Sequence, residues 1–328
     1  MSRTPRLVLP AFAAASVLAL AGCSSANADP DADADAFTIV ASTNVYGQIA
    51  EAIAGDAAEV TAIITSAAQD PHGYEPTAAD QLTVQRADLL IENGGGYDAF
   101  MDALIEAGGT DAPVISAVEY AHDWPGADDA HADGEHADDE HAHDEDEHGH
   151  THIEGFNEHV WYDPHTMEHV AEAIAAQLSA QLPDEADAIE ANAQAFIAEL
   201  EGLETALAEI EAAHAGEQVF VTEPAPGYLV AAAGLVDVTP AAFSEAVEEG
   251  QDVAPATLLT ALEAVRSGDV RVVIANAQTG GAETTQVIDA ATAEDIPVLE
   301  FTETLPGGQT YIPWMQQNIE ELAGALAS

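Results

Sequence analysis

Short apolar runs alternate with amphipathic segments along the first third of the chain. The apolar runs predict strands at residues 37–43, 60–65, 89–91 and 113–116. Between them, apolar residues recur with helical spacing, which predicts helices at 45–54, 77–86 and 97–107. Strands that alternate with helices at such short intervals are typical of a parallel α/β sheet.

The same alternation returns in the last third, after two long helical segments. One helix is predicted at 164–182, with Asp163 as its N-cap and Pro164 in its first turn. The next is predicted at 184–214, and at about 1.5 Å per residue it would span roughly 45 Å. The elements predicted after it are strands at 219–222, 270–275 and 298–301 and helices at 228–233, 255–265, 283–291 and 311–326.

These elements predict an α/β protein of two lobes, each built on a parallel sheet, joined by a long rigid helix. We expect the N-terminal lobe at 37–183, the connecting helix at 184–214 and the C-terminal lobe at 215–328. Loops at the carboxyl ends of parallel strands converge on the same edge of a sheet. Two such lobes therefore imply a cleft between them that can hold a ligand.

The N-terminus has the features of an export signal. Arg3 and Arg6 precede an apolar run at 7–20 that is too short to span a membrane and ends in Leu-Ala-Gly-Cys. Because Cys23 directly follows Ala-Gly, the segment resembles a bacterial lipoprotein cleavage box; the alternative is an ordinary signal with an incidental cysteine. We expect a signal peptide at 1–22, lipidation of Cys23 and a tether at 23–36, which would anchor an exported protein at the outer face of the cell membrane or in the periplasm.

The charge of the chain excludes two classes of partner. Its 328 residues carry a formal net charge of −55, with five basic residues and no lysine. Cleavage after residue 22 would leave Arg86, Arg266 and Arg271 as the basic side chains. A surface this acidic repels nucleic acid and anionic lipid, so binding to either through charge is excluded.

An acidic, histidine-rich tract interrupts the helical and strand patterns at 121–155. It has no apolar periodicity, which predicts a disordered loop. Its histidines beyond His122 are His131, His136, His141, His143, His148, His150 and His152. Neutral imidazoles bind metal weakly, so the loop is a candidate accessory metal site that captures zinc or passes it inward. The alternative is a disordered tract that merely tolerates metal.

Four titratable side chains in the folded part follow predicted strands or begin a helix. These candidate ligands are His72, His159, Glu223 and Glu303. Imidazole and carboxylate groups suit zinc or manganese, provided that the four loops meet. Taken singly, such a histidine is more often a solvated surface group than a ligand, and such a glutamate is usually a helix cap or a surface charge. The segment 276–281, after the strand predicted at 270–275, is placed either to donate hydrogen bonds to a ligand carboxylate or to form a simple turn.

Four segments of the chain resemble the zinc- and manganese-binding receptors of bacterial ABC importers. They are PHGYEP at 71–76, NEHVWYDP at 157–164, VTEPAPGYL at 221–229 and YIPWMQQN at 311–318. The resemblance extends over nearly the whole length after residue 36, including the histidine-rich loop and the long helix. It implies a receptor without catalytic turnover, expected to be a monomer, that delivers metal to an ABC permease and its ATPase.

The resemblance also implies the ligand set. His72 and His159 match the two histidines of the first lobe, Glu223 the third ligand and Glu303 the acid after the last strand. Zinc receptors usually carry histidine at the third position, whereas some manganese receptors carry glutamate there. Two carboxylates make a harder set, which favours manganese, while the histidine-rich loop resembles those of zinc receptors.

We expect zinc as the bound ion, with a manganese receptor of the same family as the alternative. Two other functions are less favoured. One is a surface adhesin, because the chain has no adhesive repeats or exposed aromatic arrays. A metallohydrolase would need an open coordination position and a general base, and the chain has no His-Glu-x-x-His helix.

Overall fold

The computed structural model describes residues 36–126, 153 and 155–328. The predicted signal peptide, Cys23 and nearly all of the predicted tether lie outside these ranges. So do the accessory histidines, namely His131, His136, His141, His143, His148, His150 and His152. Within the described ranges, no helix is both long and apolar enough to cross a membrane.

Two four-stranded sheets, all of whose strand pairs are parallel, organise the two halves of the described chain. The strands are β1 (Phe37–Thr43), β2 (Ala58–Ile64), β3 (Leu89–Glu92), β4 (Val114–Ser116), β5 (Gln218–Val221), β6 (Val236–Asp237), β7 (Val270–Asn276) and β8 (Val298–Phe301). The first sheet has the order β2-β1-β3-β4 and the second the order β6-β5-β7-β8. The two lobes therefore repeat one topology, and the predicted two-lobed α/β fold is confirmed.

Helices connect the strands and cover the sheets. They are α1 (Asn44–Ala54), α2 (Ala78–Val84), α3 (Ala99–Gly108), α4 (Pro164–Gln181), α5 (Ala186–His214), α6 (Gly227–Ala232), α7 (Ala241–Glu248), α8 (Pro255–Val265), α9 (Ala282–Ala293) and α10 (Tyr311–Leu326). Asp163 caps α4 as predicted, since its carboxylate accepts a hydrogen bond from the backbone N–H of His165 at 3.2 Å. The fold differs from the sequence prediction in two added elements, β6 and α7.

The long helix α5 holds the two lobes in one packed core. Its 29 residues bury a stripe at helical spacing that includes Phe196, Leu200 and Leu207. This stripe packs against α1 and α4 of the first lobe and against α10, which follows the last strand of the second. One apolar cluster accordingly contains Ile39 of β1 as well as Ile274 of β7. Because a single core runs through both lobes, their relative position is fixed by side-chain packing.

Candidate metal centre

Each candidate ligand lies at the carboxyl end of a strand or just before a helix. In each sheet the second strand of the sequence lies on one side of the first strand, and the third lies on the other side. Open α/β sheets bind ligands at this switch point, at the carboxyl ends of the strands. His72 lies in the loop after β2, and His159 lies just before the turn that leads into α4. Glu223 follows β5, and Glu303 follows β8. The topology thus directs two imidazoles from the first lobe and two carboxylates from the second toward the cleft.

His72 is held between acids from two different loops. Its Nδ1 atom lies 3.4 Å from Oδ1 of Asp70, and its Nε2 atom lies 3.4 Å from Oε1 of Glu158. The backbone N–H of His72 also donates to Asp70, at 3.0 Å. Its ring packs edge-on against Tyr97, with ring centroids 4.9 Å apart. The two carboxylates therefore orient the imidazole through its two nitrogen atoms, and the ring of Tyr97 packs against it.

The orientation of His159 is set by a neighbouring amide. Asn157 Nδ2 donates to the carbonyl of Pro224 at 3.0 Å, which turns Oδ1 of the amide toward Nδ1 of His159 at 2.7 Å. Because an amide oxygen only accepts, Nδ1 carries the hydrogen and Nε2 keeps the lone pair that can bind a metal. His159 is almost fully buried, at 1% exposure. This arrangement is the one that metal-binding histidines use to fix their tautomer.

Glu223 and Glu303 share one amide donor at the end of β7. Asn276 Nδ2 donates to Glu223 Oε2 at 2.6 Å and to Glu303 Oε1 at 2.5 Å. The hydroxyl of Thr279 donates to the other oxygen of Glu223. Both carboxylates are 2% exposed. Of the two roles that the sequence allowed for the segment 276–281, the structure therefore shows hydrogen bonds to the candidate ligand carboxylates, from Asn276 and Thr279.

The structure brings the four candidate side chains into one cluster. The rings of His72 and His159 have centroids 5.9 Å apart. His72, Asp70 and Glu303 each offer a ligand atom within 4.8 Å of the others. Glu303 is joined to Glu223 through Asn276. The four candidate side chains therefore lie near one another, and their assignment as ligands of one ion stays a prediction.

The charges of the cluster favour a cation at its centre. Burial alone would lower the pKa of His72, but its hydrogen bonds to Asp70 and Glu158 outweigh that effect and raise the pKa to about 10. Burial raises the pKa of Glu303 to about 7, opposed by the charge of His72 and reinforced by that of Glu223. Burial likewise raises the pKa of Glu223. Acids that are costly to ionise without a nearby positive charge suit a site for a divalent ion, which supplies that charge.

Several neighbours of the cluster were not predicted from the sequence. Glu248, the last residue of α7, places Oε1 3.6 Å from Nε2 of His159, and its side chain is 9% exposed. His72, His159 and Glu248 form a further trio of ligand atoms within 4.8 Å of one another. Asp70 and Glu158 flank the motif histidines and could have been identified from that proximity. Glu248 could not, because no predicted element contained it.

His72 and Glu248 line a cleft between the lobes with a volume of about 560 Å³. Asp70, His72 and Gly73 line it from the first lobe. The end of α7 with the segment after it, and the loop that leads into α9, line it from the second lobe. The opening is therefore bounded mainly by the second lobe.

Comparisons with known proteins agree with the geometry. The family model of the zinc-uptake complex component A, periplasmic (ZnuA), matches residues 39–325. The zinc-binding lipoprotein AdcA of Streptococcus pneumoniae is 28% identical over 279 residues, which cover 82% of this chain and 52% of AdcA, about half of that relative. The manganese-binding lipoprotein MntA of Halalkalibacterium halodurans is 24% identical over 316 residues, 94% of this chain and 95% of MntA. A crystal structure of ZnuA superposes with a TM-score of 0.67 at 20% identity, over 89% of this chain and 100% of that one. The resemblance noted in the sequence is thus confirmed, and the chain belongs to the family of the periplasmic component A of zinc-uptake complexes.

Proposed function

We propose that this protein captures a divalent transition metal outside the cytoplasm, zinc in the first place, and delivers it to the permease of an ABC importer. The observation that carries the proposal is that His72 lies beside both His159 and Glu303, while Asn276 joins Glu303 to Glu223. The names of relatives support it, since one is a zinc-binding and another a manganese-binding lipoprotein. Manganese is the alternative cargo, because the set of two imidazoles and two carboxylates accepts both ions.

Capture follows from the chemistry of the donors. A hydrated ion enters the negative field of the cleft and exchanges its water for imidazole nitrogen and carboxylate oxygen. It displaces the protons that the buried groups hold at neutral pH, because a ligand must be deprotonated to bind. Asn157 and Asn276 keep the ligand side chains in place, so little ordering remains to be done when the ion arrives.

The role proposed is binding without turnover. Two imidazoles and two carboxylates fill the four positions of a closed zinc site, which leaves none for a catalytic water. Lipidation of Cys23 would keep the receptor at the membrane beside its permease, with residues 23–36 as a tether. The histidines of the loop at 121–155 would act as weak accessory sites that raise the local concentration of metal.

A chelator competition assay tests the proposal. The wild-type protein should withdraw zinc from a chromogenic chelator at one tight site, and His159→Ala should lose this ability. His214→Ala is the matched control, because His214 ends α5 at the opposite, amino-terminal end of β5 from Glu223. Equal competition by the wild type and His159→Ala would refute the assignment of the site.

A further inference from the structure

Glu248 occupies a position that helix stability does not explain. It is the last residue of α7, where the partial negative charge of the helix end disfavours a carboxylate. It is also nearly buried, with a side-chain exposure of 9%. A buried acid at the negative end of a helix departs from local preference, and such departures are expected at functional sites.

The rest of α7 shows how Glu248 is held. Phe243 and Val247, one turn apart, are buried in an apolar cluster with Phe220 of β5. Phe243 packs edge-on against Phe220, with ring centroids 5.5 Å apart. The helix is thus fixed to the second lobe. From that base Glu248 extends across the cleft to His159 of the first lobe, whose Nε2 atom lies 3.6 Å away.

The position of Glu248 matches that of a ligand. Nε2 is the atom of His159 that the amide of Asn157 leaves available to a metal. A metal bound there would lie between His159 and Glu248, since the ligand atoms of His72, His159 and Glu248 all lie within 4.8 Å of one another. Glu248 and the segment after α7 line the same cleft as His72, so the carboxylate is accessible from the cavity through which an ion would reach the imidazole.

We infer that Glu248 is a fifth metal ligand, which makes the site suited to ions that take more than four donors. The inference rests on the proposed function. With Glu248 the site offers two imidazoles and three carboxylates, a hard and oxygen-rich set. Zinc is satisfied by four ligands in closed sites, whereas manganese favours oxygen donors and higher coordination. Glu248 therefore adds more to the binding of manganese than to that of zinc.

Two charge-matched variants test the inference. Glu248→Gln removes the proposed ligand, and Glu245→Gln removes an exposed carboxylate of the same helix. Zinc and manganese affinities are measured by chelator competition on the full chain. We expect Glu248→Gln to weaken manganese binding about 10- to 100-fold and zinc binding less than about threefold, as loss of one charge-assisted contact implies. Glu245→Gln should change both affinities less than about threefold.

A spectroscopic measurement separates ligation from a general effect of charge. The wild type loaded with Co²⁺ should show the weak visible absorption of a five-coordinate ion, and Glu248→Gln the stronger absorption of a tetrahedral one. If Glu248→Gln proves poorly folded by circular dichroism, Glu248→Asp serves instead, because it keeps the charge and withdraws the carboxylate by one methylene.

The outcomes keep the inference distinct from the proposed function. The inference is overturned if Glu248→Gln and Glu245→Gln behave alike, or if Glu248→Gln weakens both metals equally. If the wild type binds neither metal, or if His159→Ala binds as the wild type does, the proposed function itself fails.

Discussion

Glu92 is a buried acid whose replacement by glutamine should stabilise the metal-free protein. It ends β3 with 7% exposure, and burial raises its pKa from 4.5 to about 8, reinforced by the charges of Asp98 and Asp102. The folded protein therefore keeps a proton on Glu92 that the unfolded chain releases once the pH exceeds 4.5. Stability is lost as the pH rises from 4.5 toward 8, since the unfolded state binds fewer protons in that window.

The magnitude follows from the two pKa values. Each unit of difference corresponds to about 1.4 kcal/mol, so the unfavourable contribution of Glu92 is about 4 kcal/mol at pH 7.5 and about 1 kcal/mol at pH 5.5. Glu92→Gln cannot ionise and has nearly the same shape. The variant should therefore be more stable than the wild type by about 4 kcal/mol at pH 7.5, and this gain should shrink to about 1 kcal/mol at pH 5.5.

The assay is urea-induced unfolding of chelator-treated protein at both pH values, followed by circular dichroism. Glu51→Gln on α1 is the control, because it makes the same substitution at an exposed position. Its free energy of unfolding should stay within about 0.5 kcal/mol of the wild type. A gain for Glu92→Gln that is equal at both pH values would refute the reasoning, since only ionisation produces the pH dependence.

Three further predictions concern the site and the core. Metal affinity should rise with pH between 6 and 8, because the metal displaces the protons that pKa values of about 10 for His72 and about 7 for Glu303 retain; calorimetry in buffers of different ionisation enthalpy should detect the released protons, and an enthalpy independent of the buffer would contradict this. Asn276→Ala should weaken metal binding about 10- to 100-fold in a chelator competition, because both acids lose the amide that holds them; an unchanged affinity would show that this amide has no positioning role. Phe196→Ala in α5 should lower the free energy of unfolding by about 3–5 kcal/mol in a urea titration. Leu259→Ala, at a residue that is 56% exposed, should change it by less than about 0.5 kcal/mol. Equal effects would show that α5 does not stabilise the core that joins the lobes.

The strands and long helices were predictable because their own residues carry the pattern. β1 and β7 contain the apolar runs 39–41 and 272–275, and most of their residues are buried, as in parallel strands covered on both faces. α5 repeats an apolar residue at every turn. The elements that were not predicted lack such patterns. β6 has two residues, both exposed, and α7 has Phe243 and Val247 as its large apolar anchors, so each depends on contacts that only the folded lobe provides.

The composition of the site was predictable in part for the same reason. His72 and His159 lie in sequence motifs that resemble those of the family. The acids of the second lobe follow strands that the apolar runs predict. The contribution of Glu248 depends on the path of the chain from β6 through α7 back to the cleft. That path is set by packing against β5, and no local property of residues 236–248 specifies it.

The two lobes are tied together beside both acids of the site, which bears on how the receptor responds to metal. The amide of Asn157 donates to the carbonyl of Pro224 at 3.0 Å, and the hydroxyl of Tyr162 donates to that of Thr302 at 2.6 Å. Pro224 directly follows Glu223, and Thr302 directly precedes Glu303. The two donor residues lie on either side of His159 in the sequence. The distance between the imidazoles and the acids is therefore set, before any ion binds, by hydrogen bonds between the two lobes and by their common apolar core. We expect metal to order side chains and close the mouth of the cleft only slightly, because a wide opening of the lobes would first have to break these bonds and divide one apolar core.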